Sequence, residues 1–293
     1  MRQRLADLAR NRGEDFQLVL TRYAIERLLY RHSRSEHCGT FVLKGAMLFS
    51  LWTGQPHRPT RDLDLLAKGE NSAARLVQVF WTICAIAAEE DGRTFDPAMV
   101  AAERIKEDQE YEGVRVRCEA RLGQARIDLP IDVGFGDAVT PREVRLSYPT
   151  MLPFPAPVWP MYPRETVVAE KFQTMVALGI ANSRMKDFFD LWLLSRKFTF
   201  EGPLRCRAME ATFRRGNTPL PVQPPVALTR EFGTDAAKVK QWSAFLKNGK
   251  LTANGTTLQQ LCAMLADFLM PPTNALVARH AFKKTWPPEG PWT

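Results

Sequence analysis

Two carboxylates two residues apart, Asp62 and Asp64, stand in the run Arg58-Pro-Thr-Arg-Asp-Leu-Asp-Leu-Leu66. On a strand, residues i and i+2 point to one face, so both acids would sit side by side in an apolar setting. Like charges that close repel, and a divalent cation between them is the chemical remedy. Upstream, Phe41-Val-Leu-Lys-Gly-Ala-Met-Leu-Phe-Ser-Leu-Trp52 puts Lys44, Gly45 and Ala46 at a strand-to-helix junction. Backbone N–H groups at such a junction suit a phosphate. A glycine there is also ordinary punctuation, and Lys44 could equally be a surface lysine with its amine in water. The distance to the acid pair gives the stretch its weight.

A phosphate cradle followed by an Asp-x-Asp pair fits phosphoryl transfer, in which two metals are held by three carboxylates. Asp132 in Ile131-Asp-Val-Gly-Phe-Gly136 is the candidate third ligand, because an acid set among apolar strand residues needs a reason to be there. Asp128 shares its face and is the runner-up; an edge strand carrying two ordinary surface acids is the alternative. A second constellation comprises Lys171, on an apolar helix, with Asp187 and Asp190 in Arg184-Met-Lys-Asp-Phe-Phe-Asp190. Taken singly, Lys186 and Asp190 would form an exposed ion pair worth about 0.3–0.5 kcal/mol. Asp187 alone would be a first-turn acid favouring its helix dipole. Their joint occurrence with Lys171 points to a triphosphate.

Local patterning supplies the elements that must position these groups. Apolar periodicity predicts a helix over 14–34, then a short strand from Phe41 and a helix after Gly45. A buried strand over Thr60–Leu66 and a helix over Ala73–Glu90 follow. Val114, Val116 and Cys118 alternate with Arg115, Arg117 and Glu119, and Gly123-Gln124 fits a two-residue hairpin turn. On the return strand Ile127, Leu129, Ile131 and Val133 share one face, while Asp128, Pro130 and Asp132 share the other. Pro130 predicts an edge position or a bulge. Six prolines between Pro149 and Pro163 predict an irregular, extended connector. Helices are expected from Arg164, over Ser183–Ser195, and around Asp235–Leu246 and Leu258–Met270.

Hydrophobic residues make up 45% and charged residues 25% of the 293 residues, ordinary for a globular protein. No apolar run reaches the roughly 18 residues of a membrane span, and the N-terminus lacks a signal-like apolar stretch. The five scattered cysteines and four dispersed histidines suggest reduced thiols in a cytoplasmic protein and no zinc cluster. The net charge of +8 lies wholly in residues 196–293, which carry 14 Lys/Arg and 6 Asp/Glu; residues 1–195 carry 26 of each. A basic module beside a catalytic one suggests a polyanion such as RNA, with Arg205, Arg207, Arg214 and Arg215 as its contacts. A solubilising surface is the plainer alternative.

The blocks taken together resemble the AbiEii/AbiGii nucleotidyltransferase toxin family, a branch of the polymerase-β-like superfamily. The resemblance rests on Tyr23 to Leu29, the Phe41 stretch, Arg58 to Leu65 and Ile131 to Asp137. It continues through Tyr162-Pro-x-Glu165, Ala169-Glu-Lys-Phe172 and Arg184 to Leu191, to about residue 247. It implies an α+β fold: a polymerase-β-like core over 1–150, with a small mixed sheet flanked by helices. A mainly helical, basic domain over 151–293 would contribute to the active site through residues 165–195. The implied activity is Mg2+- (or Mn2+-) dependent transfer of NMP from an NTP to RNA, with the tRNA 3′ acceptor end expected. The implied setting is a bacterial toxin–antitoxin or abortive-infection (phage-defence) system with an AbiEi-like antitoxin. By position, Asp62, Asp64 and Asp132 would hold the metals, and Lys171 and Asp187 would be catalytic. Lys44, Gly45, Ala46, Thr60, Arg61, Lys171 and Asp190 would bind nucleotide. Ala46 departs from the second Gly or Ser of many relatives, which leaves only main chain to meet phosphate there. A small-molecule or protein hydroxyl as acceptor, or a non-catalytic binding module, are the competing readings, since fold alone does not choose among them.

Overall fold

The computed structural model describes residues 1–70, 72–88, 91–107 and 111–293; of residues 106, 107, 111 and 112 it describes the backbone alone. Two helices open the chain, α1 (Arg2–Arg12), which the sequence patterning did not predict, and α2 (Phe16–Ser33). Gly13 ends α1 at φ 62°, a left-handed geometry that costs glycine little. Asp15 caps α2 by accepting the Leu18 N–H. There follow β1 (Phe41–Lys44), α3 (Met47–Thr53), β2 (Leu63–Ala67), α4 (Ala73–Ala85), β3 (Thr94–Phe95), β4 (Ala101–Glu107), β5 (Tyr111–Leu122), β6 (Ala125–Phe135), β7 (Val144–Ser147) and β8 (Val158–Met161). These eight strands form one mixed sheet in the order β3-β5-β6-β2-β1-β8-β7, with β4 also paired to β5. The β2–β6 and β1–β8 pairs are parallel and the others antiparallel.

The chain forms two compact units, residues Met1–Asp137 with Glu143–Tyr162, and Ala138–Arg142 with Pro163–Thr293. The division therefore falls at 162/163 rather than at 150/151, because the proline-rich stretch is not wholly irregular: β8 runs through Pro160 and joins the sheet beside β1. The second unit is mainly helical: α5 (Arg164–Leu178), α6 (Met185–Lys197), α7 (Gly202–Arg215), α8 (Arg230–Thr234), α9 (Ala236–Gly249) and α10 (Leu258–Val277), with a short β9 (Phe200–Glu201) paired to β10 (Thr285–Trp286). Its core is apolar and aromatic, with Phe172, Phe188, Phe213, Leu265 and Phe268 fully buried. The C-terminal segment is docked: Trp286 and Trp292 are buried and donate their indole N–H groups to Ser195 O and Phe268 O. No helix among the described residues is long and apolar enough to cross a membrane.

Three other expectations change. The strand expected over Thr60–Leu66 begins at Leu63, so Asp62 lies one residue ahead of it, where it accepts a hydrogen bond from Thr60 Oγ1 at 2.6 Å. The helix expected over Ala73–Glu90 ends at Ala85; its last two expected positions lie outside the described residues. Pro130 marks neither an outer strand nor a bulge. The β5–β6 register is unbroken, and β6 is flanked on both sides, but β2 pairs with it only from Ile131 onward. On that side Pro130 sits just beyond the ladder and costs no hydrogen bond.

Helix α2 supports the sheet by packing on β6 and β8, and it is buried nearly all round, polar residues included. Asp91, 1% exposed, accepts from Arg27 Nε (3.0 Å) and Arg31 Nη1 (2.8 Å). Glu26, 1% exposed, accepts the Met151 N–H at 2.7 Å. Burial pushes Glu26 up to about 7, against the opposing pull of the Met151 N–H and Arg27. Burial drives His32, packed against Trp159 and Phe41, down to about 3.

The signs are opposite. Glu26's raised pKa contributes stability present below about 4.5 and lost as pH rises through about 7. His32's lowered pKa contributes stability present above about 6.5 and lost as pH falls toward 3. Glu26→Gln, whose amide oxygen can keep the Met151 bond, should therefore leave stability unchanged at pH 4.5. It should raise it by on the order of 2–3 kcal/mol at pH 8. Denaturation curves of both proteins across that range test this, because His32's contribution cancels in the difference. A variant less stable than the parent at pH 8 would show that pairing with Arg27 outweighs burial.

Candidate active site

Five charged residues stand in one lateral row across the sheet. Glu103 on β4 pairs with Arg115 on β5, Arg115 with Asp132 on β6, Asp132 with Asp64 on β2, and Asp64 with Lys44 on β1. Directly opposed residues share a face. The row therefore reads acid, base, acid, acid, base, with two carboxylates adjacent at its centre. Asp62 joins them from the segment just ahead of β2. Among the described residues, Asp62, Asp64 and Asp132 are the one group of three with metal-ligand spacing, their ligand oxygens all within 4.8 Å of one another. Asp128, the runner-up, is exposed and pairs with Glu119 instead.

The base on either side of the acid pair is tied down. Arg115 grips Asp132 through two parallel bonds, Nε–Oδ1 2.7 Å and Nη2–Oδ2 2.7 Å. This fork, and then the charges of Asp132 and Asp62, raise Arg115's already high pKa further. Lys44 Nζ donates to Asp137 Oδ2 at 2.8 Å, and Tyr162 OH donates to the same oxygen at 2.8 Å. Lys44 is 18% exposed, so it is not the solvated surface lysine that the sequence left open.

Gly45 has a role the sequence did not disclose. Its φ is +74°, and a Cβ placed there would overlap the Asp64 carboxylate. The missing side chain is the space into which Asp64 folds. Ala46 is buried beside it at the start of α3. Of the other expected nucleotide contacts, Thr60 orients Asp62, and Arg61 is exposed.

The structure brings together the second constellation within the helical unit. Lys171 Nζ on α5 lies 2.5 Å from Asp187 Oδ1 and 2.9 Å from Asp190 Oδ2 on α6, and Arg184 Nε donates to Asp187 Oδ2 at 2.7 Å. Both aspartates are completely buried. Burial would raise Asp187, but Lys171 and then Arg184 outweigh it and hold its carboxyl below the usual value. Asp190's cation is thus Lys171 rather than Lys186, which faces solvent.

One expected residue is misplaced. Arg205 cannot meet RNA, because it is 0% exposed, its guanidinium lying over the rings of Phe200 and Phe268 at 5.6 and 4.9 Å. Burial lowers its pKa to about 10. It shares the inner stripe of α7 with Ala208, Met209 and Thr212, while Arg207, Arg214 and Arg215 lie on the exposed stripe. Arg115, Asp137 and Tyr162, conversely, were missed as site residues. Arg115 was within reach: the Gly123-Gln124 turn pairs Leu122 with Ala125, and counting back along the hairpin sets Arg115 opposite Asp132.

A family model described as nucleotidyl transferase AbiEii toxin, type IV TA system, matches residues 27–262, a span that includes every acid of both constellations. No curated protein matches the chain. Among solved structures, JHP933 from Helicobacter pylori is similar at TM-score 0.50 and 14% identity, covering 90% of this chain and 94% of its own. A candidate nucleotidyltransferase from H. pylori is similar at TM-score 0.50 and 13% identity, covering 91% and 99%. At such identity the likeness is one of fold.

Two variants probe the geometry. Gly45→Ala should displace Asp64 and cost about 1–3 kcal/mol through the left-handed backbone and the overlap. Mn2+ titration should show weakened binding, and unaltered affinity would mean that Asp64 is not confined by this turn. Lys171→Met takes the shared cation from two buried carboxylates, leaving Asp187 with Arg184, and should cost about 3–5 kcal/mol. Adding Asp190→Asn should recover part of that loss in a double-mutant cycle; strictly additive losses would deny the coupling.

Proposed function

The chain belongs to the AbiEii nucleotidyl transferase toxin family of type IV toxin–antitoxin systems, and from that premise we propose that it transfers NMP from an NTP to RNA at the Asp62–Asp64–Asp132 site. In this proposal Mg2+ or Mn2+ is required, the acceptor is the 3′ end of tRNA, and the reaction takes place in the cytoplasm. The antitoxin that accompanies such a toxin is taken to be AbiEi-like, and phage defence the setting.

The observation that carries the reading is the convergence of three carboxylates, from two adjacent parallel strands and the segment just before one of them, within 4.8 Å. Hard oxygen donors in such a set fit Mg2+ or Mn2+. The space left open by Gly45 keeps Asp64 in the set. When bound, divalent cations would neutralise charge developing on the transferring phosphoryl group and its leaving pyrophosphate. The chain's own residues do the positioning. Thr60 orients Asp62, and Arg115 fixes the orientation of Asp132. Lys44, the Gly45–Ala46 main chain and Arg61 are assigned to the nucleotide. The Lys171–Asp187–Asp190 cluster is assigned to the same reaction on family membership alone. The RNA acceptor is supported by the +8 charge of residues 196–293 and by the exposed Arg207, Arg214 and Arg215.

Incubation with each labelled NTP, Mg2+ and total tRNA should label RNA. Asp64→Asn should abolish the label while leaving the fold intact, since it removes charge from a repelling group. Label on a small molecule or a protein would retain the transferase and reject RNA as acceptor. No label anywhere with all four nucleotides, or full activity in Asp64→Asn, would reject the transferase reading.

A further inference from the structure

Arg115 is placed where it competes with a cation. It stands directly opposite Asp132, and its fork occupies both carboxylate oxygens at 2.7 Å. It is 34% exposed, on a strand rather than in a packed core, so its side chain has room to withdraw. On its other side in the same row is Glu103, itself paired with Arg117 Nη2 at 3.2 Å, so a guanidinium that leaves Asp132 moves toward a second carboxylate instead of bare apolar surface. Each Asp132 oxygen is already an acceptor, and a metal ligated there must share or displace those bonds.

We infer that Arg115 is the built-in counter-ion of the carboxylate site, neutralising Asp132 when no metal is present and yielding oxygen to the metal when one binds. The inference rests on the reading of Asp62, Asp64 and Asp132 as metal ligands. Arg115 is a positioning residue in this role: it acts through Asp132. Its consequence is thermodynamic. A contact that stabilises the metal-free protein more than the loaded one lowers metal affinity by the same factor. The site therefore binds its cation more weakly, and releases it more readily, than three unopposed carboxylates would.

The test uses the full chain and Mn2+ alone, without nucleotide, with affinity read by calorimetry and melting temperature read with and without saturating Mn2+. Arg115→Gln should bind Mn2+ about tenfold more tightly. It should melt lower than the parent without metal and gain more from Mn2+ than the parent does. Arg115→Lys keeps the charge but loses the fork, and should fall between the two; it also stands in should the glutamine variant fold poorly. Unchanged or weaker Mn2+ binding in these variants would overturn the competitor role. Asp64→Asn separates the two levels of the argument. It should weaken Mn2+ binding at least about tenfold, as expected on losing a charged ligand. A parent protein that binds no Mn2+, or an Asp64→Asn variant that binds normally, would remove the metal site itself and this inference with it.

Discussion

Repulsion among three carboxylates is the constraint around which the first unit is arranged. At roughly 5 Å and an effective dielectric of about 20, each like-charged pair costs about 3 kcal/mol, so three pairs cost about 10 kcal/mol. That is comparable with the whole net stability of a typical domain, about 5–15 kcal/mol. The sheet answers it by register. Two acids occupy neighbouring positions on adjacent parallel strands, and the strands outside them supply Arg115 and Lys44 at the same level. Slipping any one of these strands by a single residue would turn its charge to the opposite face. The hydrophobic alternation that buries Val114, Val116, Ile131 and Val133 on the other face thus also holds the charges in line.

Glycine and helix α2 serve the same arrangement from behind. Gly45 provides the volume Asp64 needs, at a backbone angle that a side chain resists. Helix α2 carries its own buried charges. Arg27 and Arg31 converge on Asp91, so these two buried guanidiniums are paired. Glu26 is the member for which burial outweighs pairing, and its raised pKa records the imbalance.

The helical unit handles buried charge in two ways. Lys171 and Arg184 meet Asp187 and Asp190 as ion pairs with short, charge-assisted hydrogen bonds. Arg205 instead lies over two phenylalanine rings, whose π faces partly replace the water it has lost. The first solution leaves a tight network of two acids and two bases. The second leaves a single cation among aromatic residues, which is structural rather than a surface for nucleic acid.

Much of this was legible in the sequence, because short-range periodicity records which way a side chain points. The strand that carries Asp64, the apolar stripe of β6 that places Asp132 on the other face, and the hairpin turn at Gly123-Gln124 all follow from alternation and turn chemistry, whereas Asp62 lies ahead of the strand and alternation does not place it. So does the opposition of Arg115 to Asp132, once residues are counted back from the turn. The sequence did not determine that β6 would lie parallel beside β2, with Asp132 level with Asp64, or that Lys44 would close the row. Those pairings join segments tens of residues apart, and only the packed sheet sets their level. Nor did charge count reveal the burial of Arg205, because a helix divides its residues between inside and outside by phase, and a tally of basic residues carries no phase.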